Sequence, residues 1–153
     1  MLRILYIVVG SFIGAVTLYI YLLNSRPDLD LWHTVYLDEE FTEEKQVEIV
    51  SFEQYLALEE KLFQQLQTDI YSKSSTHAGQ KLNRFESGSL SDPESYAKNW
   101  NRSFIMKPEQ PRGGVLLLHG LSDSPYSIRA LAKELYQQGY YVLGLRMPGN
   151  GTA

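Results

Sequence analysis

From Ile4 to Leu23 the chain runs 20 residues without a charged side chain. A run of that length crosses roughly 30 Å of hydrocarbon only as a helix, because a helix satisfies its own backbone N–H and C=O groups there. Tyr6 stands near one end and Tyr19 and Tyr21 near the other, where an interfacial aromatic belt would hold them. Gly10 and Gly14 have the spacing of a small-residue helix-pairing motif, read as incidental in so short a span. The run is longer than the roughly 7–15 apolar residues of a secretory leader, and Tyr21-Leu-Leu-Asn-Ser25 offers no small-residue cleavage site. An uncleaved anchor over residues 1–25 is therefore expected. Arg3 precedes the run and Asp28 and Asp30 follow it, so a cytoplasmic N-terminus, a single pass and an exported remainder (periplasmic or extracellular) are expected.

Charge divides the rest. Residues 28–60 hold 11 acids and one base, whereas residues 61–153 hold 7 acids and 11 bases, within a net charge of −4. That acidic balance argues against a nucleic-acid partner. The absence of cysteine excludes a disulfide scaffold, a thiolate metal site, a cysteine nucleophile and a lipidated cysteine. Three zones result: an anchor at 1–25, an acidic tether and helical region at 26–100, and a βαβ region at 101–153.

In the middle zone Pro27 disfavours helix before it, so residues 26–33 read as an extended connector. Trp32 fits either the headgroup layer or a dock on the soluble part. His33 has no second ligand at metal-binding spacing and reads as a polar edge beside Trp32. Asp38, Glu39, Glu40, Glu43 and Glu44 lack the alternating order of a calcium loop and read as a solvated acidic surface. Ser51-Phe-Glu-Gln54 has the form of a capping box. Phe52, Tyr55, Leu56, Leu62, Phe63, Leu66 and Ile70 then recur at helical spacing, with Glu59 interrupting the stripe, which predicts an amphipathic core helix of about 20 residues. A Ser/Gly-rich segment follows from Ser72 to Asp92, and Ser91-Asp-Pro93 predicts a helix start.

The last zone carries the chemistry. Residues 102–107 predict a strand and Val115–Leu118 a second, apolar enough to be covered on both faces. His119-Gly120 and the loop 121–124 follow, then a helix opened by Pro125 and marked by Ile128, Leu131, Ala132 and Leu135, and stopped at Gly139. Residues 140–145 predict a third strand and Arg146–Gly151 a loop. Strand, loop, helix and strand make a βαβ unit with parallel strands. Gly113-Gly114 precedes its first strand and no G-x-G-x-x-G follows, which disfavours a nucleotide site.

Val115–Arg129 with Gly139–Ala153 resembles the start of an α/β-hydrolase domain, most like the lysophospholipase and monoacylglycerol-lipase-like branch, also grouped with (S33-type) serine aminopeptidases. The residues that carry the resemblance are His119-Gly120 after one strand and Arg146-x-Pro-Gly-x-Gly151 after the next. Family members usually have His where this chain has Asn150. The resemblance implies an α/β fold: a transmembrane helix followed by the first, incomplete part of a hydrolase sheet. It also implies a serine hydrolase of ester or related acyl bonds, without metal or cofactor, with the bilayer and an acyl-ester or lipid substrate as partners. By position, the Leu121 N–H would be one oxyanion donor, Gly120 would let the backbone approach substrate, and His119 would brace the loop.

The nucleophile elbow G-x-S-x-G does not occur in these 153 residues, and all three histidines precede the place where it would come. Gly120-Leu-Ser-Asp-Ser124 approaches it only in part, so Ser122 is disfavoured as nucleophile. The chain is therefore expected to be the N-terminal part of a longer hydrolase, inactive alone. The alternative is a non-catalytic, membrane-tethered interaction module.

Overall fold

A computed structural model describes residues 2–26, 28–74 and 82–152. The chain forms two compact units, residues 1–30 and 31–153. His77, one of the three histidines, lies outside the described residues.

The first unit is one helix, α1 (Leu2–Asn24). None of its residues is buried, and its mean hydropathy reaches 2.0 over an 18-residue window. It is long and apolar enough to cross a membrane by length and composition. Thr17 satisfies its hydroxyl on the Ile13 carbonyl at 2.9 Å, inside its own helix.

The second unit begins with a single helical turn, α2 (Leu31–Thr34), where the sequence predicts an extended connector. Trp32 decides that turn: its ring stacks on Phe85 at 4.9 Å and its indole N–H donates to His33 Nε2 at 3.1 Å. Trp32 thus docks on the folded unit, and His33 is its polar edge. A 3₁₀ turn at Glu44–Val47 leads to α3 (Phe52–Leu66), which opens on the expected capping box between Ser51 and Gln54. A π-helical turn, Gln67–Tyr71, extends it and carries Ile70 into the core. Thr68, Ser72 and Ser74 each return a hydroxyl hydrogen bond to the carbonyl four residues back. Leu37, Leu62, Phe63, Leu66, Ile70 and Phe85 form the first apolar cluster. The predicted start at Pro93 is one 3₁₀ turn, Pro93–Ser95, capped by the Asp92 carboxylate on the Glu94 N–H.

Three strands follow: β1 (Phe104–Met106), β2 (Gly114–Leu118) and β3 (Tyr141–Leu145), in the order β1-β3-β2. β2 and β3 are parallel, as the βαβ pattern requires, and β1 pairs antiparallel with β3. β1 is shorter than the predicted 102–107 because the Ser103 N–H goes to the Glu59 carboxylate instead of the ladder. The helix α4 (Pro125–Gln137) connects β2 to β3 and packs on one face of the sheet. Ser124 caps it, and Gly139 ends it at φ +87°, a conformation that glycine adopts without strain. Phe104, Ala132 and Val142 form the second cluster.

One expectation is corrected here. β2 is covered on one face only, leaving Leu116 56% and Leu118 54% exposed. Side chains alternate across a strand and α4 covers one side, so alternate leucines of β2 face away from it. The small mixed sheet with its helix is α/β in character, and nothing in it identifies a hydrolase.

Candidate functional site

β2 and β3 run in register, with Leu118 beside Leu145, so the loops that follow them leave the same edge of the sheet. In open parallel sheets ligands bind outside this carboxyl edge. The structure therefore brings His119, Gly120 and Leu121 close to the loop from Arg146 to Gly151.

His119 joins the two loops. The Met147 N–H can only donate, so the His119 Nε2 that it meets at 3.0 Å must be the unprotonated nitrogen. Nδ1 of the neutral ring then carries the proton and donates to the Gly120 carbonyl at 2.8 Å. Both nitrogens are committed and the residue is buried, so His119 holds backbone and offers Ser122 no base. The Gly120 carbonyl also accepts the Asp123 N–H at 3.1 Å, closing the turn. At that turn Leu121 is 89% exposed, and its N–H meets no acceptor among the described residues. The Asp123 carboxyl is held below the ordinary carboxylate range, chiefly by the Ser127 hydroxyl and then by the Ser124 N–H.

The loop after β3 is held by Arg146, which the sequence marks as the start of the Arg-x-Pro-Gly-x-Gly loop but gives no partners. The Arg146 side chain is 1% exposed. Its guanidinium grips Glu40 through both terminal nitrogens, at 2.7 and 3.0 Å, while Nε reaches Glu59 at 3.0 Å. Nη1 also donates to the Asn150 carbonyl at 3.0 Å, and the Arg146 N–H donates to Ser103 Oγ at 2.9 Å. Ser103 returns both its N–H and its hydroxyl to the Glu59 carboxylate. Glu40 further accepts the N–H groups of Gly149 and Phe41. Tyr55 donates its hydroxyl to the Arg146 carbonyl at 2.7 Å, and burial pushes that phenol up to about 12, keeping it a donor.

This network corrects the solvated reading of the acidic stretch. Asp38, Glu43 and Glu44 are exposed, but the Glu40 side chain is only 18% exposed and paired. Burial alone would raise the Glu40 pKa. The Arg146 hydrogen bonds and charge, with the two backbone donors, outweigh it and hold the carboxyl below its ordinary value. The same exchange holds the Arg146 guanidinium above its ordinary range, against its burial. Glu59 had a signal of its own: a carboxylate among apolar residues at helical spacing needs a buried counter-charge. Asn150 turns its amide onto the Pro148 carbonyl at 3.1 Å. Gly149 and Gly151, at φ +75° and +74°, give this loop its tight path.

Among the described residues no cluster of His, Asp or Glu could hold a metal ion. What the arrangement can do is hold two loops together and leave one backbone N–H, that of Leu121, without an acceptor among the described residues. Compared with protein-family models, with curated proteins and with solved structures, the chain gives no match.

Proposed function

We propose that this chain supplies the anchor and one oxyanion donor of a membrane-bound serine hydrolase acting on ester or related acyl bonds. The observation that carries the reading is the braced turn at the carboxyl edge of β2, where His119 holds the backbone and the N–H of exposed Leu121 meets no acceptor among the described residues. Attack on an acyl carbonyl places negative charge on its oxygen, and a fixed N–H stabilises that charge without reorganising. In this reading Leu121 is one donor and Gly120 allows close approach, and the reaction needs in addition a second donor, a nucleophilic serine, its acid and its histidine. α1 crosses the bilayer once with Arg3 on the cytoplasmic side and residues after Asp28 exported. No metal or cofactor is required.

The test is a membrane preparation expressing the complete reading frame, labelled with a serine-directed fluorophosphonate and assayed on a p-nitrophenyl ester. Leu121→Pro, which removes the N–H, should lower turnover about 10²–10³-fold, while Leu121→Ala stays near wild type. Equal activity of the two variants overturns the donor role. A complete frame that neither labels nor hydrolyses favours the tethered, non-catalytic module instead. Residues 1–153 alone should show no turnover above background; turnover abolished by Ser122→Ala would make this chain an enzyme by itself. Protease protection in sealed vesicles checks the orientation.

A further inference from the structure

Beside the N-terminal end of α4 lies a cavity of about 250 Å³, lined in part by Tyr96, Lys98, Trp100, Asn101, Ser124 and Tyr126. Lys98 is the charged residue of its lining. Lys98 Nζ sits 4.2 Å and Lys133 Nζ 5.3 Å from the centre of the Trp100 ring. Outside the lining, the Arg129 guanidinium lies 3.4 Å from the centre of the Tyr126 ring and donates to the Tyr126 carbonyl. Among the described residues none of these three cations makes an ion pair, and no carboxylate lines the cavity. Asn101 spends its amide oxygen on the Ser124 hydroxyl at 2.7 Å, and Ser124 Oγ in turn accepts the Tyr126 N–H. The amide NH₂ of Asn101 and the ammonium of Lys98 meet no acceptor among the described residues. The Tyr96 hydroxyl is spent on the Leu90 carbonyl and the Ser124 hydroxyl on Asn101, which leaves the Lys98 ammonium and the Asn101 amide as the donors in want of an acceptor, so the complementary ligand brings acceptors and negative charge.

The walls add the rest. Trp100, Tyr96 and Tyr126 present aromatic surface, with Leu90 and Pro93 beside them. A dry apolar cavity of about 150 Å³ already admits benzene, so this one has room for a single ring and a charged substituent.

We propose that this cavity binds a small aromatic carboxylate, its ring against Trp100 and Tyr126 and its carboxylate on Lys98 Nζ and Asn101 Nδ2. Leu121 does not line it, so the assignment stands apart from the hydrolase reading.

The full chain in detergent micelles, with ¹⁵N-labelled tryptophan, is titrated with benzoate and with benzyl alcohol as its neutral counterpart. Trp100 reports on the cavity, and Trp32, stacked on Phe85, serves as the internal control. Benzoate should shift the Trp100 indole resonance saturably and leave Trp32 in place, and benzyl alcohol should bind at least about tenfold more weakly. Lys98→Met should weaken benzoate about tenfold without changing benzyl alcohol, while Lys98→Arg keeps benzoate binding. Tyr126→Ala, at an exposed position, should weaken both ligands alike. Absence of a saturable Trp100 shift up to about 10 mM benzoate overturns the site. Equal affinity for the two probes, or indifference to Lys98→Met with Trp32 unshifted, overturns the carboxylate assignment.

Discussion

The two apolar clusters among the described residues of the second unit are built by different rules. The first is a helical stripe, in which α3 and its π turn place Leu62, Phe63, Leu66 and Ile70 against Leu37 and Phe85. The second is a strand-and-helix core in which Ala132 of α4 meets Phe104 of β1 and Val142 of β3. Between them lies a polar joint: Arg146 from the end of β3, Glu59 from α3, Glu40 from the acidic stretch and Ser103 before β1. Two cations also stand over a ring at this joint, with the Arg102 guanidinium 4.4 Å and that of Arg146 6.0 Å from the centre of Phe63. A greasy contact tolerates many orientations. A guanidinium fork holding two carboxylates tolerates few, so the joint sets how the helical stripe meets the sheet.

Breaking the joint should have the largest effect. Arg146→Met leaves Glu59 buried without its counter-charge, and removal of one partner of a buried pair costs about 3–5 kcal/mol. That is a large part of a domain's usual stability of about 5–15 kcal/mol. Urea unfolding of the full chain in micelles, read at Trp32 and Trp100, should lose its shared transition, because the two tryptophans report on different clusters. Retention of one transition at the wild-type midpoint would mean that apolar packing alone unites the regions.

Acid should loosen the same joint more gently. The folded Glu40 carboxyl has a lowered pKa, so its contribution is present above the unfolded value, near 4.5, and fades as pH falls through the folded one. Stability should therefore decline below about pH 4.5, and Glu40→Gln should flatten that part of the profile. A profile unaltered by this substitution would move the acid sensitivity elsewhere.

Within the first cluster Leu62→Ala, at a fully buried position, should cost about 2–5 kcal/mol by leaving a cavity. Its effect should register at Trp32 before Trp100. Within the second, a Cβ at Gly144 would run into the Phe104 ring. Gly144→Ala should cost about 1–3 kcal/mol through overpacking, and Phe104→Leu in the same chain should recover part of it. A double variant as unstable as the sum of the singles would put the strain elsewhere. Smallest is the cap: Ser51→Ala should cost about 1 kcal/mol, visible as a lower midpoint with an unchanged slope.

What the sequence determined by itself is what short-range physics controls. The apolar run of α1, the box between Ser51 and Gln54, the stripe of α3 and the Pro125-to-Gly139 span of α4 all depend on neighbours within a few turns, and all stand where the pattern puts them. The βαβ reading held because alternating strand and helix patterns leave few ways to pair β2 with β3. At the candidate site the sequence marked His119, Gly120 and Leu121 by position but could not say what His119 touches. The tertiary structure alone decided the joint. Glu40 lies 106 residues from Arg146 and Glu59 lies 87 from it, so nothing local distinguishes Glu40 from exposed Glu43 and Glu44. A carboxylate reads the same in sequence whether water or a guanidinium solvates it, and only the chain's long-range closure supplies one or the other.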